Sequence, residues 1–139
     1  MKTYGYARIS PLEPEHELAA QQARLSAAGC DRIFSDCALP QDLAGRSAWR
    51  ALQAALAAGD RILIVKMDRA AASFQDLADL ATRCERGSVA IHLAGSAGAP
   101  AAATLALTPA LLREVAGFER DMLLERKRCA MAAGVHIQR

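Results

Sequence analysis

Short apolar runs and longer amphipathic stretches alternate along the chain. Residues 3–9, TYGYARI, are an apolar run with the length of a strand. After two prolines, Leu18, Gln21 or Gln22, Leu25 and Ala28 recur at helical spacing, and Gly29 supplies a stop. DRIFSD reads as a second short strand and CALPQDLAGR as a loop. In SAWRALQAALAAG the pattern predicts a helix capped by Ser47, with Trp49, Leu52 and Leu56 inward and Gly59 ending it. RILIVKMD is continuously apolar between charges, as expected of a strand covered on both faces. The next helix has a capping spacing at Ser73 and Asp76 and a stripe of Phe74, Leu77, Leu80 or Ala81, and Cys84. SVAIHL is a fourth strand, followed by the small-residue loop AGSAGAPAAA.

One long helix closes the pattern, from residue 108 to about residue 134. Thr108 is its expected cap and Pro109 suits its first turn. Leu111, Val115, Phe118 and Met122 make its stripe, and ERDMLLERKR is dense in charge. About 26 residues at about 1.5 Å each reach about 39 Å, enough to overhang a domain of this size. An overhanging apolar stripe calls for a partner. Four alternations of strand and helix predict an α/β fold of three layers. Its central sheet is mostly parallel, with helices on both faces and a long C-terminal helix.

Composition narrows the picture. The 139 residues fit one domain, and 53% hydrophobic content with 23% charge can fill a core and stay dissolved. Aromatics are only 4%, so close helix packing through alanine is expected. A net charge of +2 is too small to argue nucleic-acid binding by itself, which must come from where the arginines sit. Cys30, Cys37, Cys84 and Cys129 match no metal-ligand spacing and read as free thiols in a reducing cytoplasm. No stretch approaches the roughly 18 apolar residues of a membrane span.

Strand side chains alternate, so Tyr4, Tyr6, Arg8 and Ser10 share one face and run toward the strand's C-terminal end. In open α/β sheets ligands bind at that end. Asp36 follows the second strand, Lys66, Asp68 and Arg69 end the third, and Arg46 precedes a helix. Parallel topology would bring these groups to one rim. Arginines around a serine suit attack by a hydroxyl on a phosphodiester, because guanidinium groups stabilise charge building on the equatorial oxygens. The sequence shows no carboxylate cluster for a metal, and no phosphate-binding Gly-x-x-x-x-Gly-Lys motif.

The segments YGYARIS, QARLSAAGCDRIFSD, GRSAWRALQAALAAGDRILIVKMDR and EVAGFERDMLLERKR resemble, in order and spacing, the catalytic domain of the serine recombinases, the resolvase and invertase family. The resemblance implies site-specific DNA recombination without a cofactor. A serine attacks DNA, a covalent 5′-phosphoserine link forms, and strands are exchanged in a tetramer and resealed. By motif position Ser10 would be the nucleophile, and Arg8, Arg46 and Arg69 would bind the scissile phosphate. Asp68 would orient an arginine and help proton transfer, while Tyr6, Gln21, Asp36 and Lys66 would support the site. Glu125 and Arg126 match a pair on the family's long helix, preceded by Arg120. Arg120 and Arg126 would also contact DNA, and that helix would form a homodimer. The whole chain, residues 1–139, would be one catalytic domain without the family's C-terminal DNA-binding domain. It would bind DNA weakly alone and act in the cytoplasm on a mobile element.

Departures matter. Where the family reads Leu-Asp-Arg-Leu-Gly-Arg-Ser this chain has MDRAAAS, so Ala72 replaces an arginine. Pro11 follows the serine, and His16 falls near the place of a family glutamine. A second reading is therefore a catalytically impaired relic that oligomerises and associates with DNA. A third is an unrelated phosphoesterase. Plainer roles also exist: Ser10 as a turn residue, Asp68–Arg69 as a surface ion pair, Trp49 as core, and His16, His92 and His136 as scattered solvent or core histidines.

Overall fold

A computed structural model describes residues 1–96 and 98–134, so His136 lies outside the described residues. The elements run β1 (Thr3–Ile9), α1 (Glu15–Ala27), β2 (Arg32–Cys37), α2 (Ser47–Ala55) and β3 (Arg61–Ile64). A 3-10 turn at Met67–Arg69 leads to α3 (Phe74–Arg86), β4 (Ala90–Ala94), β5 (Thr104–Ala106) and α4 (Pro109–Ala132). The sheet order is β2-β1-β3-β4-β5. The first four strands are parallel, and β5 runs antiparallel beside β4. The expected α/β fold is present, with one strand that the hydrophobic pattern did not predict. β5 is only three residues long, with Leu105 exposed, so no apolar run announces it.

The two faces of β1 explain the layers. Tyr4 and Tyr6 point into the larger core, against Phe34, Trp49, Leu52, Ile62, Ile64 and Leu77, under α2 and α3. On the other face Ala7 packs with Leu25 of α1, Leu63, Val65 and Ala94. Gly5 lets α1 and β2 close on this face. A Cβ there would sit 3.0 Å from Cys30 Sγ and 3.2 Å from Leu25 Cδ1. Gly29, at φ +87°, turns the chain out of α1 as its position predicted.

Two predicted helix ends are corrected. Ser47 is the first helical residue of α2, not its cap. The Asp36 carboxylate, reaching from β2, accepts the Ala48 and Trp49 amides at 2.9 Å each and satisfies the first turn from outside. Gly59 does not end α2, because the chain is already extended at Leu56. At φ +92° it belongs to the turn before β3, which Asp60 holds through the Ala57 and Lys2 amides. Thr108 does occupy the cap position of α4, though without a side-chain bond, and Pro109 sits in the first turn as expected. Ser73, by contrast, caps α3 through the Asp76 amide as expected.

The stripe on α4 also differs from expectation. Leu112 and Ala116 are the buried residues, while Leu111 and Phe118 face out. α4 lies along α3, tied by Arg113 to Thr82 and Asp79. Among the described residues none beyond Ala116 is buried. We expect Leu112→Ala to cost about 2–4 kcal/mol, because the side chain fills the α3–α4 seam. Leu111→Ala should stay within about 0.5 kcal/mol. Urea midpoints of the two variants check this.

Candidate active site

The order β2-β1-β3 reverses chain direction between β1 and β3, and such a switch opens a crevice beyond the strand ends. Ser10 follows β1 and the Met67–Arg69 turn follows β3, so both lie at this crevice. The two sides are laced by reciprocal bonds. Arg8 Nε donates to the Arg69 carbonyl at 3.3 Å, and Arg69 Nη1 donates to the Arg8 carbonyl at 2.9 Å. Arg8 also donates to the Ala38 carbonyl at 2.9 Å and the Asp68 carbonyl at 2.6 Å. Gln21 of α1 holds the same stretch by accepting the Arg8 amide and donating to its carbonyl.

Tyr6 and Asp36 share a face because β1 and β2 pair in parallel with Tyr6 opposite Phe34 and Arg8 opposite Asp36. The Tyr6 hydroxyl donates to Asp36 Oδ2 at 2.8 Å and accepts from Arg46 Nε at 3.1 Å. Arg46 further donates to the Pro40 and Ala70 carbonyls and lies 4.9 Å from the Trp49 ring centroid. Burial pushes the Tyr6 phenol above its ordinary range, so it stays a neutral donor.

Arg8 and Arg46 are 4% and 2% exposed, yet neither has a carboxylate within ion-pair distance among the described residues. Their acceptors are carbonyls and one phenol oxygen. Each guanidinium uses three of its five donors in this way. Burial, and then the neighbouring Arg69 charge, lower the Arg8 pKa from its ordinary value. The cluster therefore gathers positive charge that main-chain dipoles solvate but do not cancel.

Glu13 carries chemistry that sequence reasoning missed. It grips Arg69 in a two-pronged pair, Oε1 to Nη1 at 2.8 Å and Oε2 to Nη2 at 3.1 Å. Oε1 also accepts the Ser10 amide at 2.9 Å. Ser10 and Arg69 thus meet at one oxygen. The hydrogen bonds from Arg69 and then from the Ser10 amide hold the Glu13 carboxyl down at about 2, against an ordinary 4.5. The spacing Ser-x-x-Glu was the available signal, since a glutamate three residues on can reach back to an amide.

The other predicted residues fall as follows. Asp68 Oδ1 lies 3.5 Å from Arg69 Nε, without hydrogen-bond geometry, and that side chain is 68% exposed. Lys66 is exposed and outside the network. Ala72 is exposed at the edge of a cavity that Arg46 and Trp49 also line. Arg120, Glu125 and Arg126 sit on the outer length of α4 and are not brought to Ser10. Arg120 and Arg126 instead line a groove of about 710 Å³ with Ser73, Gln75, Leu123 and Leu124. His16 is exposed, and His92 Nδ1 pairs with Thr104 Oγ1 at 2.8 Å. All four cysteines are free. Among the described residues no group of three His, Cys, Asp or Glu could hold a metal, and no helix is long and apolar enough to cross a membrane.

A doubly wound sheet with a serine and buried arginines at its switch point is an α/β domain that gathers cationic side chains at one rim. Comparison with known proteins gives it a family. The model of the resolvase N-terminal domain matches residues 3–136, and the chain belongs to this family of site-specific recombinases. It is 26% identical to the DNA-invertase hin of Salmonella typhimurium over 96% of this chain and 68% of that protein. It is 31% identical to the integrase-like protein y4lS of Sinorhizobium fredii, over 96% and 72%. Among solved structures, a resolvase family site-specific recombinase from Streptococcus pneumoniae aligns with TM-score 0.59 at 17% identity, covering 96% of this chain and 98% of that one. The N-terminal catalytic domain of TP901-1 integrase aligns with TM-score 0.60 at 17% identity, covering 88% and 98%. These likenesses establish the fold.

The depressed Glu13 carboxyl fixes a pH dependence. Its contribution to stability is complete above about pH 4.5 and is lost as pH falls through about 2. Asp60, lowered by the Lys2 and Ala57 amides, acts in the same sense. We expect the urea midpoint to drop between pH 5 and pH 2, and to drop less in Glu13→Gln.

Proposed function

We propose that this chain cleaves and rejoins DNA through a covalent 5′-phosphoserine formed on Ser10. The observation that carries this reading is the convergence of the Ser10 amide and the Arg69 guanidinium on one anionic oxygen, with Arg8 laced to Arg69 beside them. The Ser10 hydroxyl attacks phosphorus and loses its proton, an O–P bond forms, and the bond to the 3′ oxygen breaks. The 3′ oxygen takes up a proton and leaves as a hydroxyl. Arg8, Arg46 and Arg69 stabilise the charge that builds on the phosphoryl oxygens. Asp68, exposed beside Arg69, orients that guanidinium and relays a proton. Tyr6, Asp36 and Gln21 hold the arginines and the strand in place. The reverse attack by a 3′ hydroxyl reseals the strand, and no metal or nucleotide enters either step.

Assembly belongs to the same reading. Phe118, Leu123, Leu124 and Met131 are exposed on α4 beyond its last buried residue. A second copy covering this length of the helix gives a homodimer, and two dimers give the tetramer in which strands are exchanged. Arg120 and Arg126 on the same helix meet DNA phosphates in this reading. The isolated chain binds DNA weakly and loses that binding with salt, since few cations contribute.

The test is covalent trapping with DNA from the flanks of the chain's own gene. We expect a protein–DNA adduct that Ser10→Ala abolishes. Arg69→Ala should slow its formation by about 10²–10³. An adduct that survives Ser10→Ala removes Ser10 as nucleophile.

Ala72 favours a second reading, in which the chain is an impaired recombinase that assembles and associates with DNA. Its methyl group lies on the cavity edge beside Arg46 and offers no donor to a phosphate. Adduct formation by Ala72→Arg alone supports this reading, whereas efficient recombination by the native chain excludes it.

A further inference from the structure

Glu13 lies where a strand-cleaving site needs to be empty. Its carboxylate is bound as a DNA phosphate would be, by a guanidinium fork and a main-chain amide. The amide is that of Ser10, and the fork is that of the arginine nearest to it in the hydrogen-bond network. Arg8 and Arg46 have no carboxylate partner among the described residues, so Glu13 supplies the anion on the Ser10 side of the cluster.

We propose that Glu13 is a built-in phosphate surrogate: it holds the Ser10–Arg69 anion seat closed in the resting chain and must swing out before DNA can enter. The proposal deepens the recombinase reading and rests on it for the identity of the incoming anion.

The local structure allows the swing. Glu13 lies between Pro11 and Pro14, ahead of α1, and α1 starts without a side-chain cap that depends on it. Neighbouring Leu12 is 97% exposed, so no apolar packing anchors the segment. Apart from its grip on Arg69 and the Ser10 amide, the turn keeps one main-chain bond, from the Glu13 amide to the Ser10 carbonyl at 3.0 Å. A carboxylate and a phosphate diester both carry one negative charge and offer two coplanar oxygens to a guanidinium. The exchange therefore leaves the cluster's charge unchanged. The carboxyl is ionised at neutral pH, so its ionic grip on Arg69 operates there.

The test titrates the full chain with inorganic phosphate and follows the Ser10 amide resonance. Glu13→Gln is the main variant. Its amide oxygen can still accept from the Ser10 amide, but the ionic bond to Arg69 is gone. We expect Glu13→Gln to bind phosphate about tenfold or more tightly than the wild type, because a seat closed nine-tenths of the time weakens apparent affinity by that factor. Glu13→Ala is made alongside so that one folded variant is available, with the same expected gain. Adding Arg69→Ala to either variant should abolish the gain. Equal phosphate binding by wild type and the folded variants, or a gain that persists without Arg69, overturns the proposal. This outcome is separable from the adduct test. A missing Ser10 adduct alongside tighter phosphate binding by Glu13→Gln sinks the recombination reading and leaves the closed seat standing.

Discussion

A guanidinium cannot be carried into a protein interior unless something replaces its water, and here carbonyl groups do so. Arg8 binds the carbonyls of Ala38, Asp68 and Arg69, which belong to two segments distant in sequence. Arg46 binds those of Pro40 and Ala70. Each arginine is thus a rivet between strand ends. Dipoles satisfy the donors without neutralising the charge, so the fold gains cross-links and the crevice keeps its positive potential. Carboxylates in the same places would have riveted equally well and cancelled that potential.

Asp36 shows how closely site and scaffold share atoms. One carboxylate accepts the Tyr6 hydroxyl and the Ala48 and Trp49 amides in the first turn of α2. Tyr6 in turn orients Arg46, and the Arg46 guanidinium lies over Trp49 of that same helix. The start of α2, the end of β2 and one arginine are therefore positioned together. A change at Asp36 acts on the start of α2 and on the placement of Arg46 at once.

Much of this was legible in the chain. Pattern and burial agree for β1 and β3, which are covered on both faces, and for α3, which buries a whole stripe. The face shared by Tyr6 and Arg8 follows from strand alternation alone. Other features leave little local trace. Ser47 looks like a cap because serine usually is one before a helix, but Asp36 reaches that position from eleven residues earlier through sheet pairing. β5 is short and half exposed, held by main-chain pairing with β4 more than by apolar burial. On α4 the apolar residues exceed what one copy covers, so the stripe read from the sequence mixes Val115, which packs at home, with Phe118, which does not. Glu13 is the instructive case. Its spacing from Ser10 was visible, but its hold on Arg69, fifty-six positions away, exists only once β1 and β3 lie side by side.

The unburied length of α4 has a last consequence. Residues 117–132 form about two-thirds of that helix and rest on no core of their own. A lone helical segment of that length is marginal in water, because nucleation is costly and few turns share the expense. In the proposed dimer, dilution should therefore unwind this arm as it separates the copies, so that chain concentration sets helical content, and a spectroscopic signal that fell with dilution would report association directly.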